Sequence, residues 1–248
     1  MDVAISGDRA CCLTQELGDD TYLFAVASGF GMVEGQPCAP ALLARLRGEF
    51  ERRSRYGKLR RSEQRTKGVT TSILSAFARV NEDLHIRTAS HEDYVTAGCS
   101  VTGVLLVEDR AYLAHVGSTA AYLARDGYVV ALTKNDAFES SSTPILTSAL
   151  IAAPRVDVAV CSFALNEGDA LVLAGKRLRE ADERCDLAQS LLTGLQSGSP
   201  GDHDQLLVVR YARAAQAQVE AIVESHKVRQ VVTGVLATVV FYALLCLG

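Results

Sequence analysis

The sequence predicts an α+β fold, an antiparallel β-sandwich flanked by helices, and three observations carry that prediction. Short apolar runs rich in Val, Leu and Tyr recur between Gly, Asp and Ser residues, as strands of a layered sheet do. Two pairs of these runs are joined by connections short enough for hairpins. The order is strand, two helices, several hairpin strands, helix, strand, so the alternating βαβ rhythm of a parallel sheet is missing.

In chain order, the first strand falls at residues 22–27 (YLFAVA). Helical spacing follows over 40–53 and, more clearly, over 70–88, where Ile73, Leu74, Phe77, Val80 and Leu84 recur every three or four residues. Those two helices should be antiparallel neighbours. Strands then come at 101–107 and 110–116, joined by Glu108 and Asp109, and at 120–124 and 128–132, joined through Asp126-Gly127, a hairpin signal. Residues 170–174 and 206–211 complete the strands, and 186–195 (DLAQSLLTGL) reads as a third, shorter helix. These elements occupy a body over residues 1–211.

Beyond the body the composition changes. Residues 212–229 are rich in Ala, Gln and Glu without Gly or Pro, which predicts a helical stalk. From Val231 to Gly248 no residue is charged, and 18 residues of helix would be about 27 Å long, near the thickness of a bilayer core. Residues 230–248 are therefore expected to be a single transmembrane helix, a tail anchor. Lys227 and Arg229 precede it and nothing charged follows, so the positive-inside bias places the N-terminal body in the cytoplasm.

Composition excludes several classes. With 48% hydrophobic and 22% charged residues the chain is not disordered, collagen-like or polytopic. Seven cysteines, an odd number without a C-x-x-C pair, are expected as free thiols in a reducing compartment. The net charge is -4, yet residues 45–67 hold ten Lys/Arg against three Glu, so an acidic body carries one basic segment. That segment reads as a solvated loop or as a surface for an anionic leaflet or acidic partner. Nucleic acid is not an expected partner, because only Tyr56 interleaves the run from 51 to 67.

The string GSTAAYLARDGYVVALTKND at 117–136, with AGCSVTGVLLVEDRAYLAHV before it, resembles the PPM-type serine/threonine phosphatases, the protein phosphatase 2C family. Those proteins carry V-G-D-S-R-A-Y and a D-G-x-x-x-x-L-T-x-D-H run there. GDR at 7–9 with YLFAVASGFGMVEG at 22–35 is similar to G-x-R-x-x-N-E-D and V-A-D-G-M-G-G. GDALVLAGKRL at 168–178 sits where the family has G-D-x-L-L-L-C-S-D-G-L, and GSPGDHDQLLVVRY at 198–211 where it has its D-N ending. The resemblance runs in order from about Ala4 to Tyr211 and implies a PPM-phosphatase-like fold.

It also implies a chemistry and allows each site position to be checked. The family uses two divalent cations, manganese or magnesium, which turn a bridging water into a hydroxide-like nucleophile and require carboxylate oxygens. On this sequence the N-E-D aspartate falls on Thr14, that of D-G-M-G-G on Ser28, that of S-D-G on Lys176 with Arg177 beside it, and that of V-G-D-S-R on Ser118, whose arginine falls on Ala120. Gly29, the carbonyl ligand, and Asp202 are kept, while His203 replaces the Asn of D-N. Arg9 matches the arginine that holds substrate phosphate.

The expectation is a pseudophosphatase with no metal cofactor, acting as a regulatory module for a phosphoprotein or acidic partner at the membrane. The alternative is an active metal-dependent phosphatase with a divergent site around Asp202. Other polar clusters, Asp19-Asp20, His91-Glu92-Asp93 and the hydroxyl-rich Ser140–Thr143, read as turns and loops. A third reading makes the body a structural subunit recruited through its stalk and anchor.

Overall fold

In the computed structural model, the residues described are 1–6, 11–18, 20–55, 65–89, 97–126, 128–138, 145–176, 206–211, 231–233 and 238–244. Strand β1 (Asp2–Ser6) is followed by the hairpin of β2 (Cys12–Gly18) and β3 (Thr21–Phe30). Two short strands, β4 (Met32–Val33) and β5 (Gln36–Pro37), lead into α1 (Cys38–Arg55) and then α2 (Arg65–Ala89). Next come β6 (Gly98–Val107), β7 (Arg110–Val116), β8 (Ala120–Arg125) and β9 (Tyr128–Ala131). After the small pair β10 (Ala137–Phe138) and β11 (Ile145–Leu146) come β12 (Ala159–Ala164), β13 (Ala170–Ala174) and β14 (Leu206–Arg210). Strands β15 (Val231–Thr233) and β16 (Thr238–Leu244) are the last.

Two sheets result. One has the order β12-β7-β6-β3-β2 and the other β15-β16-β1-β14-β13-β8-β9. All pairings are antiparallel except that of β1 with β16. Both expected hairpins form, and Glu108 and Asp126 take the positive φ of 58° and 52° that such tight connections require.

Strand β3 explains the layering. Its residues from Thr21 to Ala27 are all buried because they serve two cores at once. Tyr22, Phe24 and Val26 face the other sheet, meeting Leu171, Leu173, Leu207 and Val209. Leu23, Ala25 and Ala27 face the helices, meeting Leu42, Leu46, Phe50, Ile73 and Phe77. Of the periodic positions in α2, Ile73, Phe77, Val80 and Leu84 are buried, while Leu74 is exposed.

Polar ties fix these layers. Arg53 of α1 is buried, pairs with buried Glu49 at 2.8 Å and donates to the Ser72 hydroxyl of α2 at 3.2 Å. Part of the basic segment is therefore internal rather than solvated, since its length lets α1 run through Arg55 and α2 begin at Arg65. At one end of the sandwich, Arg125 of β8 sends Nε and Nη2 to buried Asp169 at 2.9 and 2.6 Å, and Nη2 also to the Ala164 carbonyl of β12. Buried Asn81 of α2 accepts the Ile151 N–H at 2.7 Å and donates to the Ala153 carbonyl. This bracket holds Ile151 at φ 74°, a conformation costly for a β-branched residue.

The transmembrane helix expected over 230–248 is not what the structure gives for 231–233 and 238–244, which are the strands β15 and β16. Tyr242 of β16 is the register partner of Ala4 in β1. The physical reason is composition: this run is rich in Val and Thr and includes Phe241 and Tyr242, residues that suit a strand, and β1 offers it an edge. No helix among the described residues is long and apolar enough to cross a membrane. The stalk over 212–229 and the third helix over 186–195 lie outside the described residues.

Candidate functional site

Register brings several of the expected positions to one end of the sandwich. Ser28, near the end of β3, lies opposite Ser100 of β6. The Ser100 hydroxyl is buried, accepts the Ser118 N–H at 3.0 Å and lies 3.3 Å from the Ser118 hydroxyl. Ala120 pairs with Ala174, so Ser118, two residues before β8, and Lys176, two residues past β13, leave the sheet at this same end. Lys176 is exposed. The strand ends Ser6 and Leu206 pair with each other, and Leu206 pairs with Ala174.

Two glycines make this end possible. A Cβ on Gly29 would stand 2.5 Å from the Gly98 carbonyl oxygen and 2.6 Å from Cys38 Sγ, so close packing of β3 against β6 and α1 already demands glycine there. Its retention is thus explained by packing alone. Gly117 takes φ 94° and leaves no room for a side chain beside Ser100.

Beneath the serines runs a buried polar chain that sequence reasoning missed. Thr102 Oγ1 lies 2.9 Å from His115 Nδ1 and 2.8 Å from Thr119 Oγ1, and His115 Nε2 lies 2.8 Å from the Lys134 carbonyl. A carbonyl only accepts, so Nε2 carries a proton. The available signal was the alternation of Ser100 and Thr102 within an otherwise apolar strand. Asp136 was also missed as a neighbour of Ser118: its carboxylate accepts the Gly117 N–H at 3.0 Å, and its own N–H donates to the Gly117 carbonyl.

Thr14 does not join this end. It pairs with Phe24, four residues along β3 from Ser28, a separation of about 13 Å at strand rise. Arg9, Asp19, Arg177, Asp202, His203, Asp204, the His91–Asp93 trio and Ser140–Thr143 lie outside the described residues. Asp20 is the turn residue between β2 and β3, with φ 52°, and its carbonyl accepts the Glu108 N–H.

Thiols line the helix side of the same end. Cys38 and Cys99 are both buried; the Cys38 thiol donates to the Gly98 carbonyl at 3.3 Å and the Cys99 thiol to the Ser100 carbonyl at 3.5 Å. Interaction with Cys99 holds the Cys38 thiol below the usual range, against the effect of burial, while the same interaction and burial push Cys99 up. Among the described residues no group of three or more His, Cys, Asp or Glu side chains is placed to hold a metal ion.

Comparison with known proteins agrees with this architecture. The family model for protein phosphatase 2C matches residues 10–141. The serine/threonine phosphatase of S. agalactiae superposes with a TM-score of 0.62 at 17% identity, covering 83% of this chain and 98% of that one. The Mycobacterium tuberculosis phosphatase PstP/Ppp gives 0.58 at 18% identity over 83% and 96%. PppA of Pseudomonas aeruginosa, a regulatory component of T6SS, gives 0.61 at 14% over 83% and 96%. Identities this low speak to fold. No curated protein matches the sequence. With more than half its length matched by the family model and its two sheets and helices arranged as in these phosphatases, the chain belongs to the protein phosphatase 2C family.

Proposed function

We propose that this chain is a phosphoprotein-binding or regulatory member of its family, impaired in hydrolysis. What supports the reading is the chemistry of the site end, where Ser28, Ser118 and Lys176 fall, by the sequence resemblance, on positions that the family fills with aspartates. Members of the family use manganese or magnesium. Two hydroxyls and an ammonium supply no negative charge, so the described donors at those positions do not fit a pair of dications. An ammonium nearby also repels them. What such a set does suit is an anion: N–H, O–H and ammonium donors all point toward phosphate chemistry, and Arg9 adds a guanidinium fork by family match.

Metal content measured on purified protein, with manganese titration calorimetry and hydrolysis of an aryl phosphate, tests the reading. Neither tight manganese binding nor turnover is expected. Manganese-dependent turnover abolished by Asp202→Ala would instead establish the alternative, an active serine/threonine phosphatase with a divergent site. Binding of a phosphopeptide is expected to weaken several-fold in Lys176→Asp, and equal binding by both proteins would remove the anion role.

The reading includes attachment to the cytoplasmic face of a membrane through residues 230–248. It is supported by the uncharged run and by Lys227 and Arg229 before it. Attachment would require the segment to leave the edge of β1.

A further inference from the structure

We propose that Cys38 and Cys99 form a reversible thiol–disulfide pair, closed by oxidants of the peroxide class, that staples the first turn of α1 to β6 beside Ser28. The argument begins at Gly29. A single point, the place where its Cβ would be, lies 2.6 Å from Cys38 Sγ and 3.0 Å from Cys99 Cα. The absence of a side chain at Gly29 is what lets the sulfur of α1 settle against the backbone of β6. Cys38 Sγ thus lies within about 5.6 Å of Cys99 Cα, and the two thiols interact, lowering the one and raising the other.

The surroundings suit a bond that opens and closes. Both residues are almost wholly buried, 1% and 0% exposed, and Cys11 belongs to the same apolar cluster. Burial protects the bridge once made. Access comes from the chain just before α1: Glu34, Gly35, Gln36 and Pro37 are all exposed, so opening of this short approach and the first helical turn is a local event.

The chemistry balances without a metal. One sulfur attacks a peroxide oxygen, the O–O bond breaks, and a sulfenic acid and one water form. The second thiol then attacks that sulfur and expels the other oxygen as water. Two S–H bonds are lost, one S–S bond is gained, and the two electrons from sulfur reduce the peroxide. A small thiol reverses the step.

The test uses the full chain, reduced and freed of reductant, treated with hydrogen peroxide, alkylated, digested and examined by mass spectrometry. A linked pair of peptides containing Cys38 and Cys99 is expected, lost on treatment with dithiothreitol. Recovery of both as separate alkylated or over-oxidised cysteines, with exposed Cys161 oxidised instead, would overturn the proposal, as would a Cys38–Cys11 link. Because the wild-type digest decides by itself, a misfolded variant leaves no ambiguity. In Cys38→Ala, Cys99 should be recovered unlinked, and peroxide should raise the urea midpoint of the wild type but not of this variant; an equal rise in both would count against the staple.

Discussion

Asn81 shows how much one polar side chain can carry at the scale of a residue. Its amide satisfies the buried N–H of Ile151 and the carbonyl of Ala153 together. Asn81→Ala strands that N–H, and a loss of about 1–3 kcal/mol of stability is expected by urea denaturation. Asp169 makes a pH-dependent contribution. Burial tends to raise its pKa, but the Arg125 fork and the Asn166 N–H outweigh burial and leave it below the usual carboxylate value. A lowered folded-state pKa means the contribution is complete above the unfolded value of about 3.9 and is lost as pH falls through the folded one. The urea midpoint of the wild type should therefore drop as the solution is acidified below about pH 4, more steeply than that of Asp169→Asn; parallel curves would contradict this. Of the site end, the register that sets Ser28 across from Ser100 was not legible in the sequence, because pairing partners 72 residues apart leave no local pattern. Thr14 lies opposite Phe24 and four residues along the ladder from Ser28, a separation that a count along one strand does not show.

Elements with a strong period were the most legible. The apolar spacing of α2 located its core face, and Phe77→Ala, which opens a cavity between α2 and the five-stranded sheet, should cost about 3–5 kcal/mol. A loss under about 1 kcal/mol would mean the helices are not bound through that cluster. Strands β1, β2 and β12 were not anticipated. In β2, Gln15 and Glu16 break the apolar pattern, since this is an edge strand with one wet face, and β12 is the opposite edge of the same sheet. The hydroxyls of Ser100 and Thr102 were hidden for the converse reason: they sit within a strand buried at every position, where polarity is tolerable only because Ser118, Thr119 and His115 satisfy it.

For the molecule as a whole, the sandwich and its helical layer were readable from local pattern, whereas the placement of the last strands was not, because an uncharged Val-rich run suits a bilayer and a sheet edge alike. Truncation after Tyr211 separates the two. If the tail anchors the chain, cells should hold the full-length protein in the membrane fraction and the truncated body in the supernatant. Equal partitioning would leave the tail with the sheet. The arrangement of polar contacts across the body has a mechanical consequence. Two greasy sheets pressed together would be free to slide, but Arg125 bolts them at one end, and the serine and threonine hydroxyls stitch the connection between β7 and β8 to β6 at the other. Shear between the layers must break both seams at once, so the geometry of the site end is held by the two together.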